Sequence, residues 1–166
     1  RLGVVRIYDV LLDYDDVPGP AGARLHPEIA ASMPDLREGG TLYAFAIRPD
    51  ARFGAPLRRH IVAADVKYAI ERLFRIGSPG IPFYSTIVGA REMLAGRAST
   101  IAGLIARGDS LYVRIEKPDP TFLQILSLSF TSPIPREVAD RWPNAFSLHT
   151  VATGPYTVAE FVPRRL

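Results

Sequence analysis

The segment AADVKYAIERLFR, residues Ala63–Arg75, carries the clearest secondary-structure signal in the chain. Its apolar residues recur at positions i, i+3, i+4, i+7 and i+8, the spacing that lines one buried face of an α-helix: Val66, Ala69, Ile70, Leu73 and Phe74. Asp65 lies in the first turn, where a carboxylate suits the helix dipole, and Gly77 suits the end of the helix. The pattern predicts a helix over residues 63–75.

Short strands are predicted on both sides of this helix. Upstream, bulky residues in Thr41–Arg48 follow the Gly39-Gly40 pair, an arrangement that favours a hairpin. Downstream, Ile101–Ile105 and Leu111–Glu116 flank a turn at 107–110. Further helices are predicted at 90–95, 121–128 and 136–142, and a last strand at Pro155–Val162. Because strands and helices mix without strict alternation, the predicted fold class is α/β or mixed α+β.

The amino-acid composition limits the classes of protein to which this chain can belong. The chain has 166 residues, 48% of them hydrophobic and 22% charged, and a net charge of +3 from 20 cations and 17 anions. These values are typical of a folded domain rather than a disordered chain. The 13 glycines and 15 prolines exceed the usual share, which indicates many turns. No cysteine is present, so disulfides, cysteine-ligated zinc and thiol catalysis are excluded.

The cations do not form a nucleic-acid-binding pattern. All but Lys67 and Lys117 are arginines, scattered along the chain without a basic run. Nucleic-acid-binding proteins usually concentrate cations on one face and interleave aromatic residues. We therefore interpret the arginines as solvated surface residues and expect no nucleic-acid partner. The apolar stretch Phe122–Phe130 is far shorter than the ~20 residues of a membrane-spanning helix.

No catalytic or metal-binding motif is found. The histidines, His26, His60 and His149, have no His, Asp or Glu partner at the spacing of a zinc-binding helix. Nucleophile-elbow, phosphate-loop and dinucleotide-binding sequences are missing as well. The pair Asp15-Asp16 lies in a loop rich in proline and glycine, where Asp favours turns. The sequence therefore predicts no enzyme activity, no metal and no cofactor.

Aromatic residues in loops are the more suggestive feature. Phe83 and Tyr84 lie in Ser78–Ile87, SPGIPFYSTI, which is predicted to be a proline-broken loop. Aromatic side chains on such a loop either line a ligand cleft or fill a gap between two elements, and both alternatives stay open. Trp142, on a predicted helix, is expected to be buried. Thr153–Tyr156, TGPY, is predicted to be a turn that opens into the last strand.

Seven blocks along the chain resemble, in the same order, segments of the family 5 extracellular solute-binding proteins, the oligopeptide-, dipeptide- and nickel-binding components of ABC importers. Each block alone is weakly specific, but their order is strongly specific. The blocks are Ile7–Asp15 (IYDVLLDYD), Leu25–Ser32 (LHPEIAAS), Gly40–Phe53 (GTLYAFAIRPDARF), Ala63–Leu73 (AADVKYAIERL), Pro118–Phe122 (PDPTF), Pro133–Glu137 (PIPRE) and Thr153–Tyr156 (TGPY). One departure is Phe53–Leu57, which lacks the His-Asp-Gly sequence that the family usually carries there.

The resemblance implies a periplasmic binding protein type II architecture, in which two lobes close on a ligand by a hinge movement. Family members run to several hundred residues. We therefore expect residues 1–166 to be a piece of the first lobe. Within this piece, the smaller subdomain is expected at about 15–150, and segments of the lobe core at 1–14 and 151–166.

The same resemblance implies a function. The expected ligand is an oligopeptide or similar polar solute, and the expected partner is the membrane permease of an ABC-type importer. The expected location is extracellular or periplasmic, or anchored at the cell surface. The residues expected to contact ligand are Phe83, Tyr84, Thr153, Gly154 and Tyr156. An alternative with the same fold is a ligand-sensing module fused to a signalling or transcription-regulatory protein.

Overall fold

The computed structural model describes residues 8–15, 17–143, 145–149 and 151–153. The strand predicted at Pro155–Val162 lies outside these ranges. The described strands and helices are β1 Leu12–Tyr14, β2 Leu25–Pro27, β3 Asp35–Arg37, β4 Leu42–Ala46, α1 Ala63–Arg75, α2 Ile81–Tyr84, α3 Ala90–Leu94, β5 Leu104–Arg107, β6 Ser110–Arg114, α4 Phe122–Ile125 and α5 Arg136–Arg141. Short 3₁₀ turns lie at Pro20–Ala23, Glu38–Gly40, Ser129–Thr131 and Phe146–Leu148.

The central sheet has four antiparallel strands in the order β3-β4-β6-β5, and β1 pairs with β2 in a separate two-stranded sheet. The predicted hairpin at Gly39-Gly40 is confirmed, because Arg37 pairs with Leu42 and both glycines have positive φ, 65° and 86°. Strands β5 and β6 form a second hairpin at the predicted turn. Alternate residues of the central strands enter the core: Tyr43, Phe45, Leu104, Leu111 and Val113.

Helix α1 has the predicted bounds and packs against β5 and β6. Val66 and Ile70 are fully buried, as the apolar spacing requires. The Asp65 carboxylate accepts the Val62 N–H at 2.9 Å and so satisfies one free donor at the helix start. At the other end, Gly77 has φ 64° and the Ser78 N–H donates to the Leu73 carbonyl at 2.9 Å, which closes the last turn. None of the helices in the described ranges is both long and apolar enough to cross a membrane.

Several features differ from the sequence prediction. Strand β5 spans Leu104–Arg107 rather than the predicted Ile101–Ile105. Part of the predicted loop Ser78–Ile87 forms the short helix α2, and the helix predicted at 121–128 is only the one turn α4. Trp142, expected to be buried, is 38% exposed. Because α5 ends one residue earlier, the Trp142 ring extends past the helix and stacks on His149, with the ring centroids 4.0 Å apart.

Arg59 joins three parts of the fold through ion pairs. Its guanidinium donates to both oxygens of Asp65 on α1, at 2.8 and 2.7 Å, and to both oxygens of Glu137 on α5, at 2.6 and 3.0 Å. It also lies over the Phe53 ring, 4.8 Å from the centroid. The Asp65 side chain is almost fully buried, whereas Glu137 is about half exposed. Arg59 thus ties the loop before α1 to the starts of α1 and α5.

The Glu137–Arg59 pair predicts a pH dependence of stability. The hydrogen bond from Arg59 lowers the pKa of Glu137 below its ordinary value of 4.5. A carboxylate whose pKa falls on folding stabilises the fold above its unfolded pKa, and this stabilisation is lost as the pH falls through the folded pKa. Glu137→Gln is expected to lower the free energy of unfolding by up to about 1 kcal/mol at pH 7, because the pair is partly exposed.

The measurement is urea unfolding of both proteins between pH 3 and pH 7. The difference between wild type and Glu137→Gln should be constant above pH 4.5 and shrink below it. Asp35→Asn serves as the control, since the Asp35–Arg37 pair is exposed on both sides. A Glu137→Gln difference that does not change with pH would contradict the assignment.

Candidate ligand-binding site

A groove of about 310 Å³ lies beside helix α1. Its walls come from α1, from the segment 129–135 and from the segment 146–151, and Tyr8 contributes at one end. The described lining residues carry no charged side chain, and most of them are apolar: Tyr8, Ala69, Leu73, Ser129, Phe130, Ser132, Pro133, Ile134, Pro135, Phe146, Ser147 and Val151. The groove is therefore an apolar concavity of the kind that holds small ligands or single side chains.

Buried hydrogen bonds fix the 129–135 wall. The Thr131 hydroxyl shares its proton between the Leu126 and Leu128 carbonyls, at 2.9 and 3.0 Å, and accepts the Leu11 N–H at 3.4 Å. The Ile134 N–H donates to the Asp65 carbonyl at 3.3 Å. These bonds connect the wall to the segment before β1 and to the start of α1, so the groove has a rigid side.

The two aromatic residues singled out from the sequence have different environments. Phe83 is 45% exposed and stacks on Phe130 of the groove wall, with centroids 6.1 Å apart. Tyr84 has no exposed surface, and its ring meets Phe130 edge-on at 6.4 Å. The Tyr84 hydroxyl donates to the Ile125 carbonyl at 3.2 Å, and burial raises the Tyr84 pKa. Because successive helical residues point in different directions, α2 turns Phe83 outward and Tyr84 into the core, where it fills space rather than lining a surface.

Thr153 lies close to the same groove, although its side chain is buried. Its hydroxyl oxygen accepts the Asp9 N–H at 2.6 Å, and the Ala152 carbonyl accepts the Gly54 N–H at 2.8 Å. Val151, two residues before Thr153, lines the groove, as does Tyr8 next to Asp9. The structure thus brings the neighbourhoods of Phe83 and Thr153 to one groove. The other expected ligand contacts, Gly154 and Tyr156, lie outside the described residues.

The charged groups near the groove, among the residues that the structure describes, lie at its rim. Among the described residues, no carboxylate, ammonium or guanidinium lines the groove. The guanidinium of Arg72 lies over the Phe146 ring, 5.1 Å from the centroid, and thus beside the groove. At the end near Thr153, half-burial raises the pKa of the Asp9 carboxyl, and the nearby Arg48 cation opposes this effect. The described part of the groove therefore has an apolar interior, with the Arg72 guanidinium beside the lining residue Phe146 and the Asp9 carboxyl near the other end.

Sequence reasoning did not find Phe130, Phe146 or Arg72. Phe130 belongs to a short apolar stretch that gives no directional signal, and Phe146 is 74 residues from the helix position that it contacts. Only the sequence of α1 indicated part of this groove, because its apolar periodicity puts Ala69 and Leu73 on one helix face, with Arg72 at the border of that face. Among the described residues, no group of three or more His, Asp or Glu side chains could hold a metal ion. The groove is suited to noncovalent binding of an apolar group.

A sequence profile described as "Bacterial extracellular solute-binding proteins, family 5 Middle" matches residues 24–166. No curated protein matches the chain in sequence. Solved structures do match. The peptide-binding pheromone receptor PrgZ has a TM-score of 0.84 at 22% identity, over 95% of this chain and 31% of its own. Listeria monocytogenes OppA bound to peptide has a TM-score of 0.81 at 16% identity, over 90% of this chain and 30% of its own.

A third structure, Haemophilus influenzae OppA in complex with the peptide RPPGFSPFR, has a TM-score of 0.79 at 20% identity. It matches 93% of this chain and 30% of its own. The chain thus spans slightly less than a third of the length of these structures. At these identities the likeness establishes the fold, which is that of periplasmic binding proteins of type II, as predicted.

Proposed function

This chain belongs to the bacterial extracellular solute-binding proteins of family 5, and on that premise we propose that it is part of the oligopeptide-binding component of an ABC-type importer. The observation that carries the proposal is the apolar groove with the exposed Phe83 ring stacked on Phe130 at its edge. Three similar structures are described as peptide-binding or peptide-bound, and another as an oligopeptide ABC transporter from Bacillus anthracis. An exposed aromatic ring beside an apolar concavity suits the side chains of a peptide.

Binding proceeds by closure of two lobes about a hinge, and this chain supplies part of the first lobe. A protein that binds its ligand in this way needs rigid surfaces rather than a nucleophile or base. We therefore propose that this protein is not an enzyme and uses no cofactor. The proposed subdomain at about 15–150 is supported by the contact between Asp9 and Thr153, which joins the two flanking core segments. In the closed state Phe83 contacts the ligand, and Thr153, Gly154 and Tyr156 are the further ligand contacts that we propose.

The partners that follow from this role are a peptide and the membrane permease of the importer, and the location is outside the cytoplasmic membrane. A sensing module of the same fold is the second candidate, favoured by the similarity to a pheromone receptor. The sequence that flanks this chain in its gene discriminates between them. A secretion or lipid-anchor signal supports transport, and a fused kinase or DNA-binding segment supports sensing.

Phe83→Ala in the full-length protein is expected to weaken peptide binding about tenfold, since one aromatic contact is worth roughly 1–1.5 kcal/mol. The measurement is a fluorescence titration with a pool of random pentapeptides. Leu94→Ala is the matched control, because Leu94 is also exposed but lies on α3 and does not line the groove. Equal affinity of Phe83→Ala and wild type would remove Phe83 from the site, and no binding of the pool to wild type would overturn the proposed function.

A further inference from the structure

We infer that the free edge of strand β3 pairs with the same edge of a second copy of this chain, about a two-fold axis at Leu36. Strand β3 is an outer strand of the central sheet, and among the described residues no strand adjoins its other side. Its three residues, Asp35, Leu36 and Arg37, are all exposed. An exposed strand edge presents main-chain donors and acceptors with which another strand can pair.

The hydrogen-bond register of the sheet shows which main-chain groups of β3 face the free edge. The Ile47 N–H donates to the Asp109 carbonyl at 2.8 Å, and the Ile115 N–H donates to the Thr41 carbonyl at 2.9 Å. Main-chain groups alternate in direction along an antiparallel strand. The odd-numbered residues in and beside β4 therefore bond to β6 and the residues that follow it, and the even-numbered residues of β4 bond to β3.

Leu36 is consequently the residue of β3 whose N–H and carbonyl point away from the sheet. Asp35 and Arg37 lie opposite even-numbered residues of β4, so their main-chain groups bond to that strand. Leu36 lies between them and directs its groups to the other side. Two copies placed edge to edge can therefore exchange two hydrogen bonds, in which each Leu36 N–H donates to the Leu36 carbonyl of the other copy.

The charged side chains of β3 complement themselves in this pairing. Antiparallel pairing about Leu36 places Asp35 of each copy opposite Arg37 of the other. These are non-hydrogen-bonded positions, at which the Cα atoms lie about 4.5 Å apart and the side chains are close. Within one copy the Arg37 Nε already donates to the Asp35 carboxylate at 2.7 Å, so the two copies form a ring of four alternating charges. A two-fold interface requires this reciprocity, which is why the partner is a second copy.

Leu36 supplies the apolar part of the interface. Its side chain is 50% exposed, although it lies opposite the buried Tyr43 on the core side of the sheet. The two-fold axis brings the two Leu36 side chains together and removes both from water. The pairing is short, because Pro34 has no N–H to donate and the chain turns at Glu38, where φ is 51°. Such a small interface produces weak, reversible association.

The test is sedimentation equilibrium of the full-length protein from about 10 µM to about 500 µM, with a dissociation constant of about 0.1 mM expected for so small an interface. Asp35→Arg places cations opposite cations, and Arg37→Asp places anions opposite anions. Each variant alone should associate at least about tenfold more weakly than wild type. An equimolar mixture of the two should associate as wild type does, because every facing pair is again of opposite charge. The double variant Asp35→Arg/Arg37→Asp should also dimerise.

Arg107→Asp is the matched control, because Arg107 is exposed on β5, at the opposite edge of the same sheet. It should dimerise as wild type does. Leu36→Pro removes the central donor but no bond within the sheet, and should abolish the dimer while circular dichroism shows a folded protein. A wild type that stays monomeric throughout would overturn the inference and leave the edge to an extended segment of another protein. A mixture of the two charge variants that does not associate, or an Arg107→Asp variant that dissociates, would overturn it as well.

Discussion

Tyr84→Ala is expected to lower the free energy of unfolding of the chain by about 4 kcal/mol, the usual cost of truncating a buried aromatic side chain. Tyr84 is among the largest fully buried side chains, and its ring packs edge-on against Phe130. Removal of the ring leaves a cavity between α2 and the 129–135 wall, which the rigid surroundings can fill only in part. Urea unfolding followed by circular dichroism measures the change.

Two further variants separate the contribution of the buried Tyr84 ring from those of its hydroxyl and of the neighbouring exposed ring. Tyr84→Phe keeps the ring and removes only the hydroxyl donor, and the Ile125 carbonyl still accepts the Leu128 N–H at 3.1 Å. Its expected cost is therefore only about 1 kcal/mol. Phe83→Ala, one residue earlier and exposed, should cost less than about 1 kcal/mol. If Tyr84→Ala costs no more than Phe83→Ala, the Tyr84 ring lies at the surface and its assignment to the core is wrong.

Arg59→Met is expected to lower the free energy of unfolding by about 3 kcal/mol, because it leaves the buried Asp65 carboxylate without its cation. This value is at the low end of the free-energy loss expected when one partner of a buried ion pair is removed, because a third of the Arg59 side chain is exposed. Met keeps the length of the aliphatic stem, so its contact with the Phe53 ring is retained in part. Urea unfolding at pH 7 provides the measurement.

Arg136→Met is the matched control for this variant. Arg136 forms an ion pair with Asp140 one helical turn away, and both side chains are exposed. Such a pair contributes only about 0.3–0.5 kcal/mol. A further variant, Asp65→Asn with Arg59 intact, tests the same interaction from the buried side. Equal losses for Arg59→Met and Arg136→Met would contradict the role of Arg59 as the connection between the loop, α1 and α5.

The parts of the fold that local physics controls were predictable from the sequence. Helix α1 has the predicted bounds because its apolar period, its first-turn Asp65 and the following Gly77 all act within one segment. The hairpin at Gly39-Gly40 was predictable for the same reason, since positive φ at both positions favours glycine. Where local signals agree with the tertiary structure, sequence reasoning succeeds.

The candidate site was predictable only in part, because it depends on contacts between distant residues. When Ser78–Ile87 is interpreted as a loop, the sequence does not show which of Phe83 and Tyr84 is buried. The helical geometry of α2 makes the Phe83 ring exposed and the Tyr84 ring buried. Arg59 contacts Glu137 across 78 positions, so neither residue could be recognised as paired from the sequence. The interpretation of the arginines as simply solvated misses these ion pairs.

The hydrogen bond between the Asp9 N–H and Thr153 joins residues that are 144 positions apart. A segment whose first and last residues are neighbours can be inserted into a surface loop of an unrelated host protein. The two residues of the host loop that flank the insertion then need to separate by only a few ångströms. The stretch from Asp9 to Thr153 therefore meets the geometric condition for insertion, as one unit, into another protein. The same adjacency would let its two ends be joined by a short linker and new termini be opened at the exposed Gly108 turn between β5 and β6.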